Sequence, residues 1–311
     1  MHCLQASRRA TGSELAFSIM SELQEAAKTG DRRLFVEKLA SAIKDVLANR
    51  PACMAAINAL RSIALYYLEH GLDKLPEYIS SLKESYDSAL WKASEVASKR
   101  VREGEVILVN SNSLAVRRLL AWLKKQGKKV SIYVTESRPG NEGLLMAEYA
   151  ESLGFDVYLI VDSAARFFMK DVDKVVVGAE AVAVNGAVVS KVGTSLIALV
   201  AKEARKRVFA IAPSYKLSFE TIYGELLPVP EEGTEALVDP DERDKLPPGY
   251  KARAPLYDVT PPEYIDAVAT EYGLYAPQAV PILLELVYGS YVPSVPTLKE
   301  LLEKIEGEKS D

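Results

Sequence analysis

Imidazole and thiol are scarce in this chain: 311 residues contain two histidines, His2 and His70, and two cysteines, Cys3 and Cys53. That inventory argues against a Ser-His-Asp triad, a two-histidine metal site and a disulfide framework, because each needs several such groups at defined spacing. No metal and no cofactor is expected. Also missing are a run of roughly eighteen apolar residues, as a membrane span needs, and an apolar signal-peptide core after Arg8 and Arg9. The expectation is a cytoplasmic protein without a membrane partner. Positive charge is not in excess either: 38 Lys and Arg against 43 Asp and Glu give a formal charge of −5. Phosphate backbones are held mainly by clustered Lys and Arg, so no direct nucleic-acid partner is expected, and the basic stretch Ser98–Arg102 reads as a solvated helix face.

What is present is apolar patterning of two kinds. With 49% hydrophobic and 26% charged residues, the chain is long enough for two domains with sizeable cores. From Gly12 to about Arg102 apolar residues recur at helical spacing, as in Leu15, Ile19 and Leu23, and the periodicity predicts helices over 13–28, 32–48, 52–70 and 75–102. Thr29-Gly30-Asp31 offers a left-handed residue followed by a capping aspartate, Asn49-Arg50-Pro51 places proline at a helix start, and Gly71 ends the third segment. After Gly104 the pattern changes to short β-branched runs at Val106–Val109, Val130–Val134, Val157–Val161, Val175–Val177 and Val208–Ile211. Helical stretches at 114–126, 142–153, 163–170 and 194–206 separate them, which is the signature of a parallel sheet covered on both faces. The expected fold class is therefore α/β. It comprises an N-terminal helical domain (1–104) followed by a Rossmann-like parallel-sheet domain (105–311).

Smaller features complete the reading. Asn185-Gly186, between Ala181–Val184 and Ala187–Val189, predicts a type I′ hairpin just after the fourth strand. The Pro-rich, acidic stretch Pro228–Pro255 reads as a surface excursion. "DVTP" predicts a strand ending at a helix with Thr260 as N-cap and Pro261 and Pro262 in its first turn, and a last helix is expected near 278–288. The apolar set Leu283, Leu284, Leu286, Val287, Tyr288 and Tyr291 is either core or subunit interface.

In an open α/β sheet the carboxyl ends of parallel strands and adjoining helix N-termini face one crevice, where free N–H groups attract anions. Asn110–Ser113, Thr135–Pro139, Gly178–Glu180 and Ser190–Thr194 are expected to converge there. In the polar quartet, Ser113 can cap the next helix while exposed amides near Ser111 and Asn112 bind an anion. Arg138, stiffened by Pro139, suits a bidentate grip on phosphate; Lys191 at a helix start and Lys216 in "SYK" add point charges. Glu180, at the end of a buried strand, can serve as general acid or base, or pair with Lys191 or Arg138. Asp162 reads as an N-cap.

These residues, in this order, resemble a known family. It comprises the alpha, beta and delta regulatory subunits of translation initiation factor 2B, with the related methylthioribose-1-phosphate and ribose-1,5-bisphosphate isomerases. The stretches "YVTESRP", "VDSAARFFMKDVDKVVVGAEAV", "NGAVVSKVGT" and "TPPEYIDAVATEYGLYAPQAV" look most like the alpha-type subunit. "RPACMAAINALR" and "RRAT" carry the likeness into the first hundred residues. The resemblance implies a helical domain, a Rossmann-like domain that dimerises, and a sugar-phosphate pocket between them. It further implies that Arg8, Arg61, Arg138, Lys191 and Lys216 face the phosphate or sugar; Asn112 and Ser113 of the polar quartet complete the expected ligand-binding set.

The departures concern catalysis. Ser111-Asn112 stands where the isomerases have cysteine and asparagine, Glu180 where they have aspartate, Arg9 where a phosphate loop favours glycine, and Ser190 where an asparagine precedes the lysine. A serine hydroxyl is far less acidic than a thiol and has no histidine beside it in sequence. The reading is thus a non-catalytic protein similar to the initiation factor 2B alpha subunit. It would bind a phosphorylated metabolite, a sugar phosphate or nucleoside monophosphate, as a homodimer or higher even oligomer, with translation initiation factor 2 as a candidate partner. The alternative is an aldose-ketose isomerase acting on ribose 1,5-bisphosphate or a related sugar phosphate, with Glu180 as acid-base and Ser111 assisting. A pure interaction subunit with an empty pocket is the third.

Overall fold

The computed structural model describes residues 10–223, 227, 229–238, 247, 249–290 and 295–307; Arg8, Arg9 and Tyr291 lie outside them. Four helices come first: α1 (Gly12–Lys28), α2 (Arg32–Asn49), α3 (Met54–His70) and α4 (Leu75–Ser98). Their ends follow local chemistry. Thr11 and Glu14 make a reciprocal capping box on α1, the Asp31 carboxylate accepts from Leu34 N at 3.1 Å, and Gly30 and Gly71 take positive φ of 71° and 65°. The proline of Asn49-Arg50-Pro51 sits in a turn before α3 instead of in its first turn.

The sheet begins after Gly104. Strands β1 (Val106–Val109), β2 (Ser131–Thr135), β3 (Asp156–Ile160) and β4 (Lys174–Gly178) alternate with α5 (Leu114–Lys125), α6 (Gly143–Ser152) and the single turn α7 (Ala165–Phe168). Strands β5 (Ala181–Ala183) and β6 (Val188–Lys191) follow, then α8 (Thr194–Glu203), β7 (Arg207–Ile211) and β8 (Leu217–Ser218). Short β9 (Glu231–Glu232) pairs with β10 (Ala254–Pro255), and β11 (Tyr257–Thr260), β12 (Ala267–Thr270), β13 (Gly273–Tyr275), α9 (Val280–Tyr288) and α10 (Leu298–Gly307) complete the order.

The main sheet runs β13-β12-β7-β4-β1-β2-β3, parallel except for β13. Its order reverses between β1 and β4, the switch point at which α/β sheets open a crevice. Successive strand residues feed opposite faces: Leu108, Val175 and Val177 join one core cluster, whereas Ile107, Val109 and Val176 join the other with α4 and α5. Burial on both faces explains why these strands are uniformly apolar.

Three expectations change. The sheet has two more strands than the β-branched runs suggested, because "AVAT" and "GLY" are too short to stand out. Thr260 ends β11 but does not cap a helix: only one 3-10 turn, Pro262–Tyr264, fits before β12, and Thr260 Oγ1 is buried without a hydrogen-bond partner. The Asn185-Gly186 turn is not type I′, since only Gly186 has positive φ (84°). Gly186 N donates to Ala183 O at 2.8 Å and Ala183 N to Ala187 O at 2.9 Å, a type I turn closed by a glycine bulge. A further four-stranded sheet, β11-β6-β5-β8, springs from the end of β4. Finally, α10 returns to the N-terminal helices: Leu298, Leu301 and Ile305 pack into the same core as Phe35, Leu39 and Leu60.

Candidate active site

The four strand-end segments meet at the switch point. Thr135 Oγ1 donates to Asn110 Oδ1 at 2.7 Å, Asn110 Nδ2 donates to Thr194 Oγ1 at 2.9 Å, and Ser190 Oγ donates to Gly178 O at 2.9 Å. Ser113 Oγ packs so closely on Gly178 that a Cβ there would come within 2.1 Å of it. This contact explains why Ser113, although in the N-cap position of α5, makes no side-chain cap. Ser111 and Ser137 both adopt left-handed backbones, with φ of 66° and 65°, and Ser111 N donates to Ser137 Oγ at 2.7 Å. Two non-glycine residues in that region within one crevice mark a place where structure over-determines the backbone. Asp162 is not an N-cap: its two oxygens accept from Ser137 N at 2.8 Å and Arg138 N at 2.7 Å, holding the β2 turn in place.

Glu180 lies at the centre, and the N-terminal helices form its far wall. Its amide donates to Val189 O at 2.8 Å, and Met54 N donates to its carbonyl at 3.2 Å. The side chain is 15% exposed, and its partner is Arg50, at 3.7 Å from Oε2, not Lys191 or Arg138. That separation leaves Oε2 without a hydrogen bond. A Cβ on Gly12 would come within 2.4 Å of Oε2 and 3.0 Å of Cys53 Sγ, so the start of α1 must be glycine for the carboxylate to sit where it does. Burial, followed by the negative Glu180, pushes the Cys53 thiol up to about 12, so this thiol keeps its proton. Tyr257 meets Arg50, and burial and then Glu180 raise its phenol likewise.

Each expected cation among the described residues already has protein partners. Lys216 is 4% exposed and donates to Ala179 O, the carbonyl preceding Glu180. Burial lowers its pKa, with Glu180 opposing the shift. Its 3-10 turn is clamped by the helices: Asn58 donates to Tyr215 O and Leu217 O, and Tyr215 stacks on Tyr86 at 4.1 Å. Lys191 is equally buried and donates to Pro139 O and to Glu142 Oε1 at 2.8 Å. Arg138 donates to Leu237 O at 2.8 Å, from a loop outside the crevice. Arg61 is committed to Glu220 and Asn58 and stacks over Phe219 at 4.2 Å. Asn112 is buried with Oδ1 unpartnered. The start of α8 is filled by the chain's own carboxylate, as Asp258 Oδ2 accepts from Gly193 N at 2.8 Å and Ser195 N at 3.0 Å.

Sequence reasoning therefore missed Arg50, Asp258, Tyr257 and Glu142. Only Arg50 carried a local signal, and that signal read as turn chemistry. Chemically, the crevice offers a mostly buried carboxylate, one oxygen of which faces a guanidinium without a hydrogen bond, near a buried ammonium, an arrangement that suits proton transfer next to an anion. Among the described residues no group of three or more His, Cys, Asp or Glu could hold a metal ion, and no helix is long and apolar enough to cross a membrane.

Comparison with known proteins agrees with this frame. Residues 5–277 match the model of the "Initiation factor 2 subunit family". A ribose 1,5-bisphosphate isomerase from Archaeoglobus fulgidus is 36% identical over 271 residues, 86% of this chain and 85% of the relative. That of Methanocaldococcus jannaschii is 36% identical over 261 residues, 82% of each. The crystal structure of 5-methylthioribose 1-phosphate isomerase from Pyrococcus horikoshii superposes with a TM-score of 0.69 at 25% identity, covering 90% of this chain and 83% of that one. The expectation of a non-catalytic, initiation factor 2B alpha-like protein is thereby corrected. Six archaeal relatives, 30–36% identical over most of the chain, carry the name ribose 1,5-bisphosphate isomerase.

Proposed function

The chain belongs to the Initiation factor 2 subunit family, and within it we propose that it is an aldose-ketose isomerase acting on ribose 1,5-bisphosphate or a closely related sugar phosphate. The naming of the six archaeal relatives carries this reading, and the free carboxylate oxygen of Glu180 supports it. Isomerisation of ribose 1,5-bisphosphate moves a hydrogen from C2 to C1, while the ring C1–O4 bond opens and the proton of the 2-hydroxyl passes to O4. Glu180 takes the C2 proton and returns it at C1; Ser111 assists at the neighbouring oxygen. Arg50, Lys191 and Lys216, with Asn112 and Ser113, meet the phosphates and exchange their present protein acceptors for phosphate oxygens. Serine does not replace an ionised thiol as a base, so the carboxylate alone moves the proton between the two carbons, and Ser111 is left to hydrogen-bond the oxygen beside them. Its extra methylene is accommodated by the bare Cα of Gly12.

A second copy of the chain is part of the proposal. Leu196 and Leu199 of α8 and Ile282 and Leu286 of α9 are each at least 45% exposed, an apolar surface suited to an interface of a homodimer. Sedimentation of the purified chain tests it, and a single monomeric species at micromolar concentration contradicts it.

The activity is tested by following formation of the corresponding ketose phosphate, ribulose 1,5-bisphosphate in the case of ribose 1,5-bisphosphate, across a panel of ribose phosphates. Turnover of one of them by the wild-type chain is expected, and Glu180→Gln, which keeps size and removes basicity, lowers kcat about 10²–10⁴-fold. Absence of turnover on every member of the panel overturns the reading.

A further inference from the structure

The start of α8 is a ready anion site by its geometry: a ten-residue helix beginning at the mouth of the crevice, just after Lys191. Asp258 occupies it. The antiparallel register of β11 on β6 sets Asp258 opposite Ser190, so its side chain reaches over the turn that follows β6. There Oδ2 takes both Gly193 N and Ser195 N, while the turn's other flank is held by Asn110 through Thr194 Oγ1, which in turn donates to Lys191 O at 2.6 Å. Val192 N donates to Leu256 O at 3.1 Å, and Gly193 supplies the left-handed φ of 96° that the turn needs.

Two features separate this aspartate from an ordinary cap. Its second oxygen, Oδ1, is buried with no hydrogen-bond partner among the described residues, and burial pushes the carboxyl up to about 6. Asparagine or serine caps amides without a buried charge. The carboxylate satisfies the same amides and in addition sets a negative charge at the helix start, which repels an anion approaching it.

We propose that Asp258 is a positioning residue for the isomerase: it closes the N-terminus of α8 to the substrate's phosphate and so directs that phosphate to the ammonium groups of Lys191 and Lys216. The proposal rests on the isomerase reading for its kinetic consequence, but its binding consequence stands without turnover.

Two variants and two readouts test it. Asp258→Ala uncovers the two amides, and by calorimetry it is expected to bind inorganic phosphate about tenfold more tightly than wild type, while kcat for ribose 1,5-bisphosphate falls about tenfold through misplaced substrate. Asp258→Asn keeps the cap and removes the charge; it is expected to bind phosphate about threefold more tightly, with a smaller loss of kcat and a Tm at pH 8 no lower than wild type. A merely structural cap leaves phosphate affinity unchanged in Asp258→Asn, and that result overturns the proposal. If Asp258→Ala does not fold, unchanged phosphate affinity in Asp258→Asn is sufficient to overturn it. If the wild type lacks turnover, the isomerase reading fails separately and the phosphate arm still decides the role of Asp258.

Discussion

At Gly12 a hydrogen atom decides where a carboxylate lies. The Cβ of Gly12→Ala would meet Glu180 Oε2 at 2.4 Å, and since that oxygen ends a flexible side chain, the carboxylate moves and α1 stays. Activity is expected to fall by roughly 10²-fold, the effect of a displacement of about 1 Å at a reacting group. Tm should change little, and unchanged activity in the folded variant would show that the placement of Glu180 does not matter. Asp258 supplies a pH signature. Its folded carboxyl is raised from 3.8 to about 6, so its contribution to stability is complete below 3.8 and is lost as pH rises through 6. Asp258→Asn removes that loss: its Tm relative to wild type is expected to be near zero around pH 4 and positive above 6, and a negative difference at pH 8 contradicts the assignment. Positions at the crevice were legible in sequence where a strand end announced them, as for Glu180 and Lys191, although their ion-pair partners were not. Arg50 and Asp258 were not, because their partners lie 130 and about 65 positions away in the chain and are fixed only by packing.

Among the elements, α6 shows how closely a helix approaches the site. A Cβ on Gly143, its first residue, would fall 1.8 Å from the carbonyl oxygen of Thr135 at the end of β2, and backbone on both sides cannot yield. Gly143→Ala is therefore expected to destabilise the fold by about 1–3 kcal/mol or more, since overpacking a fixed interface forces backbone shifts. A two-state urea melt checks it, and an unchanged midpoint would contradict the close approach. Apart from α10, the helices and the first five parallel strands were legible from periodicity and β-branched runs. Strand β12 was hidden because four residues of "AVAT" carry little pattern, and the turn after β5 was misread because Asn-Gly signals a hairpin without fixing its loop length. Helix α7 shrank to one turn because Asp162, its expected cap, is held by the β2 turn instead.

For the whole molecule, the joint between helices and sheet makes the crevice. Glu180 enters from the sheet, Gly12 and Arg50 from the helices, and Asn58 of α3 clamps the turn that carries Lys216. Helix α10 closes the helical core from the other end of the chain. Leu301 is fully buried there, and Leu301→Ala is expected to cost about 2–5 kcal/mol, as other buried leucine truncations do. A thermal melt reads that loss; a shift within error would mean that α10 adds nothing to the core. Such long-range closure has no local sequence signal, which is why the C-terminal helix escaped the periodicity that revealed the others.

The claim on which the rest depends is that Glu180 moves a proton on a bound sugar phosphate. Phosphorus NMR of ribose 1,5-bisphosphate mixed with equal amounts of wild type or Glu180→Gln tests it most directly. The account predicts that the substrate resonances give way to those of ribulose 1,5-bisphosphate with the wild type and persist with the variant. Equal conversion by both proteins would contradict it.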